Sequence, residues 1–232
     1  LTASSDRDLN EATGANGYEG PLADYILDKS VHPGQIPQTS RAAKFELALV
    51  TRLLGQAATE AARAWSWPAD GLAPPCQTLL LRGRVFTNAA SKKQALLALL
   101  DGLKPQGVFR IVADGYGILP AMGLLAAEDP DMVVQILSGN DVLPWAWVVS
   151  PKERGRLGKT MLSVSLTPAS GPAVELDVSS GELKILPLAH GQRYNLALRP
   201  AAGVDVGGGP GQTRQLTVTS SVIGLVIDGR ER

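Results

Sequence analysis

The chain has one cysteine, Cys76, and two histidines, His32 and His190. A single cysteine excludes an intrachain disulfide, so oxidative stapling is not how the fold is held. The two histidines lie far apart, each in a turn context. No Cys pair, His-Glu-x-x-His helix or Gly-x-Ser-x-Gly elbow accompanies them, so no metal set or nucleophile assembles from the sequence. Net charge is also missing: 22 Lys and Arg balance 22 Asp and Glu. A dedicated nucleic-acid binder normally carries a basic excess, so that class is disfavoured. Apolar runs are broken every few residues and none approaches the roughly 18 residues of a membrane span. The first residues, LTASSDRDLNEATG, lack the basic start and apolar core of a signal peptide. A cytoplasmic location is therefore expected. Because the chain starts at Leu1 rather than Met, it is also expected to be a domain of a longer protein.

What is present is enough for a core. Of 232 residues 44% are apolar and 19% charged, which suits one large or two small domains and argues against wholesale disorder. Residues 1–40 are expected to be an extended or loop-rich segment, broken by Gly14, Gly17, Gly20, Pro21, Pro33, Gly34 and Pro37, with about two helical turns over Leu22–Leu27. The carboxylates Asp6, Asp8 and Glu11 read as solvated. Thr39 or Ser40 can cap a long helix over 41–64. Its expected core stripe is Phe45, Leu49, Leu53 and Ala57, with Val50, Leu54 and Ala61 beside it. Trp65, Trp67 and Pro68 should stop that helix. The tryptophans are expected to form a hydrophobic plug rather than a binding platform, and Pro74-Pro75 should keep the following link extended.

The stretch Gln77–Ala127 carries the clearest pattern. Thr78–Leu81 reads as a buried strand, Arg82-Gly83-Arg84 as a turn, and Lys92–Leu103 as a helix capped by Asn88 or Ser91 and ended by Gly102 and Pro105. Val108–Ala113 reads as a second strand, Asp114-Gly115-Tyr116-Gly117 as a second turn, Ile118–Ala127 as a second helix, and Met132–Leu137 as a third strand. That alternation predicts an α/β layer with parallel pairing. From about Leu143 the texture changes to short alternating or β-branched runs separated by Gly and Pro, expected to form a small antiparallel β sandwich or barrel. The resulting division is 1–40, an α/β part over 41–140, and a β-rich part over 141–232.

Two turns are candidate sites. Arg82-Gly83-Arg84 either contacts an anion through its cations and amides or is a solvated turn, the second being favoured. Asp114-Gly115-Tyr116-Gly117 ends a parallel strand, where open α/β sheets bind ligands, or is a plain glycine turn. Gly207–Gly211 looks like a phosphate cradle, but a strand follows it and no Lys-Ser or Lys-Thr does, so a β-turn is expected. Cys76 has no base nearby in sequence and reads as an inert thiol.

The order of elements over 77–137 resembles the closing part of the actin-like ATPase fold (ribonuclease H-like; the sugar kinase, Hsp70 and actin superfamily). More narrowly, the chain resembles the C-terminal half of glutamate mutase L-type accessory proteins. The residues that carry this are Lys29–Pro33 with Ile36–Thr39, Gln94–Val108, Tyr116–Gly123, Val133–Leu137 and Ile223–Arg230. The resemblance implies an ATPase-like accessory protein, by analogy a reactivating chaperone for a cobalamin-dependent mutase, with a protein partner and with ATP or ADP in the full-length molecule. The Asp- and Gly-rich phosphate loop of that family does not occur in this sequence. At the adenosine turn, where the family has two adjacent small residues, Gly83 stands between Arg82 and Arg84. The chain alone is therefore expected to be non-catalytic, to hold no metal, and to supply an adenosine-side wall from Arg82, Gly83, Arg84, Asp114, Gly115, Tyr116 and Gly117 together with an interaction domain. The alternative is a stand-alone structural or interaction module whose nucleotide turn has degenerated.

Overall fold

The computed structural model describes residues 22–65, 76–138, 142–152 and 155–230. The expectations placed on Gly14, Gly17, Gly20, Pro21, Trp67, Pro68, Pro74, Pro75, Asp6, Asp8 and Glu11 lie outside those residues. The described residues divide into two compact units, one of residues 22–65 with Gly83–Lys104 and one of residues 76–82 with 105–230.

The first unit is helical: α1 Leu22–Val31, α2 Ser40–Ala64, α3 Arg84–Thr87 and α4 Lys92–Leu103. Thr39 caps α2 by accepting from the Ala42 amide at 3.1 Å, and Ser91 caps α4 by accepting from the Gln94 amide at 3.4 Å. These bonds satisfy amides that a helix start leaves without an internal partner. The core stripe of α2 begins at Phe45 as expected but does not continue through Leu53, which is 49% exposed, or Ala57, which is also exposed. A strict four-residue repeat advances roughly 40° beyond a full turn at each step, so the inward face passes instead to Thr51, Leu54 and the buried Ala58. On this face α2 packs against α4. The Thr51 hydroxyl donates to Ala98 O at 3.2 Å, and a Cβ at Gly102 would stand 2.7 Å from Thr51 O and 2.8 Å from Leu54 Cβ. Glycine at 102 thus sets how closely the helices approach. Trp65 is 69% exposed, so it does not plug the end of α2.

The second unit holds nine strands in two sheets. The first sheet runs β1 (Thr78–Leu81), β2 (Gly107–Ala113), β3 (Leu143–Ser150), β9 (Gly224–Asp228) and β6 (Leu183–Leu186). The second runs β5 (Val174–Ser179), β4 (Thr160–Pro168), β7 (Arg193–Pro200) and β8 (Arg214–Thr219). Pairing of β1 with β2 is parallel, as expected. Strand β3 runs antiparallel to β2 and parallel to β9, whereas the second sheet is wholly antiparallel. Alternation explains the second sheet. In β4 Leu162, Val164 and Leu166 are buried while Ser163 and Ser165 are less so, and in β7 Tyr194, Leu196 and Leu198 are buried. These side chains share one core with Val108, Val149, Leu225 and Ile227 of the first sheet, so the two sheets pack face to face.

Two sequence expectations are corrected here. The run Met132–Leu137 is not a third strand. It lies in helix α6 (Pro130–Leu137), following α5 (Leu119–Leu125). Asp129 caps α6 by accepting from the Met132 amide at 2.9 Å, and Pro130 occupies its first turn; together these are a stronger local signal than the apolar run. The β-rich part also does not begin as a separate body near residue 140. Strand β2 pairs with β3 across that point, and β9 returns to β3 after the whole second sheet has been threaded between them. The result is a sandwich that draws β1 and β2 into one of its sheets, and the described strands do not close a barrel.

Gly224 enters β9 at φ 105°, and a Cβ there would lie 2.0 Å from Leu186 O. Side chains other than hydrogen are strained at that φ and cannot fit under that carbonyl. Gly224→Ala is expected to lower the unfolding free energy by about 3 kcal/mol or more in denaturant melts. A loss under about 1 kcal/mol would show that the β6–β9 contact is looser than this.

Candidate functional site

The turn Arg82-Gly83-Arg84 is where the chain passes from one unit to the other: Arg82 follows β1, and Gly83 opens α3. The turn is thus also a helix entry, which the sequence did not suggest. Gly83 has φ 118° and ψ 144°. Its carbonyl accepts from the amides of Phe86 and Thr87, both at 3.1 Å, and from the Thr87 hydroxyl at 3.2 Å. Apart from Arg82, Arg84 and the glycine itself, no atom lies within 4 Å of where a Cβ would stand. Glycine is required by the backbone conformation, and no residue beyond its two arginine neighbours fills the space above it.

Arg84 is exposed and donates from Nη1 to Gly34 O at 3.4 Å. It lines a cavity of about 80 Å³ with Lys29, Gln35, Glu46, Asn88 and Gln94, next to a groove of about 170 Å³ that shares Lys29, Gln35, Ile36 and Pro37. Neither reaches the roughly 300 Å³ of a typical small-molecule site. Lys29 is ion-paired to Glu46 and donates to Gln35 O. The Glu46 side chain is only 9% exposed, and removing one member of such a pair leaves a buried charge uncompensated. Tyr25 borders the groove, its ring centroid 6.0 Å from that of Phe45, and its buried hydroxyl has no hydrogen-bond partner. Burial, then the carboxylates of Glu46 and Asp28, push its phenol up to about 12 from 10.0.

The second candidate turn belongs to the other unit. Asp114 is 1% exposed. Its amide donates to Leu81 O at 2.8 Å, which carries the β1–β2 pairing one residue further. Its carboxylate accepts from the Ile118 amide at 2.9 Å and the Leu119 amide at 3.1 Å. Both carboxylate oxygens therefore hold the entry to α5, and the residue works as a helix cap. Arg82 lies at the same strand end, with Nη2 4.0 Å from the Cβ position of Gly117. Gly115 and Tyr116 are exposed, Tyr116 to 76%. The candidate residues thus form two groups: Arg82 with Asp114, Gly115, Tyr116 and Gly117 in one unit, and Gly83 with Arg84 in the other.

The remaining candidates resolve simply. Asp205 accepts from the amides of Gly207 at 2.7 Å and Gly209 at 2.9 Å, so the glycine loop folds around the chain's own carboxylate as a turn. Burial raises the Cys76 thiol, which disfavours the reactive thiolate. His32 and His190 are both exposed, and among the described residues no three His, Cys, Asp or Glu side chains gather as a metal site. The Lys29–Glu46 pair was missed because its members lie on different helices. The only sequence sign was Lys29 within the Lys29–Pro33 motif.

The fold and these turns define a mixed α/β protein with a glycine-entered helix beside an ion-paired groove. The profile of the family described as MutL protein matches residues 2–140, and the chain belongs to that family, of the glutamate mutase L type. The matched span ends before β3, so the Ile223–Arg230 segment lies outside it; there Asp228, fully buried in β9, pairs with Arg230 at 2.9 Å. No curated protein and no solved structure matches the chain. Among the described residues no helix is long and apolar enough to cross a membrane.

Two variants test these assignments. Asp114→Ala should cost about 1–2 kcal/mol of stability through loss of the α5 cap, read by chemical unfolding; an unchanged melt would mean that the cap is dispensable. Tyr25→Phe removes a buried hydroxyl that has no partner and should raise stability by about 1 kcal/mol near neutral pH. The folded state favours the neutral phenol, so its contribution is intact below pH 10 and is lost as pH rises from 10 towards about 12. The wild type should lose stability across that window and Tyr25→Phe should lose less, as followed by pH-dependent melts.

Proposed function

We propose that this chain is the adenosine-side portion of a glutamate mutase L-like accessory protein, of actin-like ATPase ancestry, that binds adenine nucleotide without hydrolysing it and serves a cobalamin-dependent mutase as partner. The observation that carries the reading is Gly83, held at a conformation for glycine with no side chain from beyond the turn above it, next in the chain to Arg84, which lines the cavity. The groove chemistry fits the edge of a nucleoside. Gln35, Asn88 and Gln94 offer amide donors and acceptors beside apolar Ile36 and Val85, and the Arg84 cation suits negative charge, whereas Lys29 is committed to Glu46. Its small size suits one wall of a larger cleft. The non-catalytic half of the reading rests on Asp114, whose carboxylate is fully engaged by backbone amides.

Titration calorimetry of the chain with ADP and ATP should give binding, with no phosphate release in a parallel assay. Gly83→Val should weaken binding by about tenfold or more, provided its melt remains cooperative. Metal-dependent hydrolysis that is abolished by Asp114→Ala would overturn the non-catalytic assignment. A second reading, an interaction module with a degenerate nucleotide turn, is favoured by Arg84, which places a bulky cation beside Gly83. Absence of nucleotide binding together with a nucleotide-indifferent partner would select it.

A further inference from the structure

Helices α5 and α6 are in contact with each other but bury little of their apolar content. No residue of α5 is buried, and Val133 is the buried residue of α6. Tyr116 is 76% exposed, Leu124 79%, Met132 46% and Val134 63%. From Gly115 to Ala127 the sequence has no charged residue at all. A surface helix normally turns a polar face to water, whereas here Leu124 and Val134 are turned to it.

Along the sequence the charges that flank this surface are of one sign, and Arg82 stands beside Gly117 at the entry to α5. Between Arg110 and Lys152 the sequence contains no Lys or Arg, whereas it contains Asp114, Glu128, Asp129, Asp131 and Asp141. Asp114 is buried in its cap and Asp129 caps α6. Glu128 at the α5–α6 junction and Asp131 in the first turn of α6 are exposed. We infer that the α5–α6 surface is a docking site for a protein partner that presents an apolar face edged with Lys and Arg.

Charge complementarity selects that occupant. A second copy meeting the same surface would set Glu128 and Asp131 against their own kind. Anionic lipid headgroups and nucleic-acid phosphates would be repelled by the same carboxylates. The inference goes beyond nucleotide binding and does not depend on it, since none of these residues lines the groove beside Arg84.

The test uses the whole chain and two labelled synthetic helices of about 18 residues, long enough to be helical. Both carry leucine along one face; one has lysine at the edges of that face and the other glutamate. Fluorescence anisotropy should show the lysine-edged helix binding about tenfold more tightly than the glutamate-edged one, as two exposed ion pairs gained rather than opposed would give. That preference should shrink as salt is added. Leu124→Asp with Val134→Asp should abolish binding of the lysine-edged helix while the melt stays unchanged, because both side chains are exposed. Glu128→Lys with Asp131→Lys should reverse the preference. Equal binding of the two helices, no binding of either, or binding insensitive to Leu124→Asp with Val134→Asp would overturn the inference. A dimer that sedimentation shows to dissociate in Leu124→Asp with Val134→Asp would overturn it in favour of a second copy.

Discussion

Asp114 sits where strand β2 gives way to helix α5, and its buried carboxylate is what allows that change of direction. A helix start exposes amides with no internal partner, and here two of them point at one side chain. The same residue's amide bonds to Leu81 O, so one position extends the β1–β2 ladder and opens the helix. A carboxylate held in this way costs desolvation and recovers it only through these bonds. The arrangement is therefore rigid, with each carboxylate oxygen committed to one backbone amide. Gly115 and Gly117 let the chain turn within three residues, and Arg82 covers Gly117 from the end of β1.

The helical unit depends on a different constraint. Gly102 lets α4 approach α2 to within van der Waals contact of Thr51 and Leu54, and Phe45 at the other end of α2 packs with Tyr25 and Ile26 of α1. Between these anchor points Glu46 faces Lys29. An ion pair so little exposed adds little net stability compared with an apolar pair, but it specifies one arrangement because either charge alone would be costly. It holds α1 and the loop that follows it against α2, and that loop forms the wall of the groove beside Arg84. The groove is thus a by-product of how α1 is fastened, and its shape is as fixed as that pair.

Strands of the second sheet were legible because alternation is local: Leu162, Val164 and Leu166 in β4, or Tyr194, Leu196 and Leu198 in β7, declare one buried face from sequence alone. Caps were legible for the same reason, at Thr39 and Ser91. What failed was non-local or marginal. Met132–Leu137 is as apolar as a strand, and only the Asp129-Pro130 pair before it identifies a helix. Leu53 and Ala57 drifted off the inward face because a repeat of four is not the helical period. The pairing of β3 with β9, separated by the entire second sheet, has no sequence signature, so a change of texture near Leu143 looked like a domain boundary when it was the middle of a sheet. Of the site, the two glycine turns were visible as turns. Their roles, a helix entry at Gly83 and a cap at Asp114, depended on partners that only the fold supplies.

The turn Arg82-Gly83-Arg84 links these observations. The chain leaves the β unit after Arg82, builds α3 and α4 in the helical unit, and returns after Lys104, whose φ of 48° ends α4 in a left-handed residue before Pro105. Parallel pairing of β1 with β2 requires the ends of that excursion to come together, and a flexible excursion of the same length would carry a loop-closure cost. Folding residues 83–104 into helices removes most of that freedom in advance. The β1–β2 ladder is therefore coupled to the helical unit through chain connectivity alone, and Gly83 is the point where the chain crosses between them. A residue there must satisfy the backbone first, and at a φ of 118° glycine does so without strain.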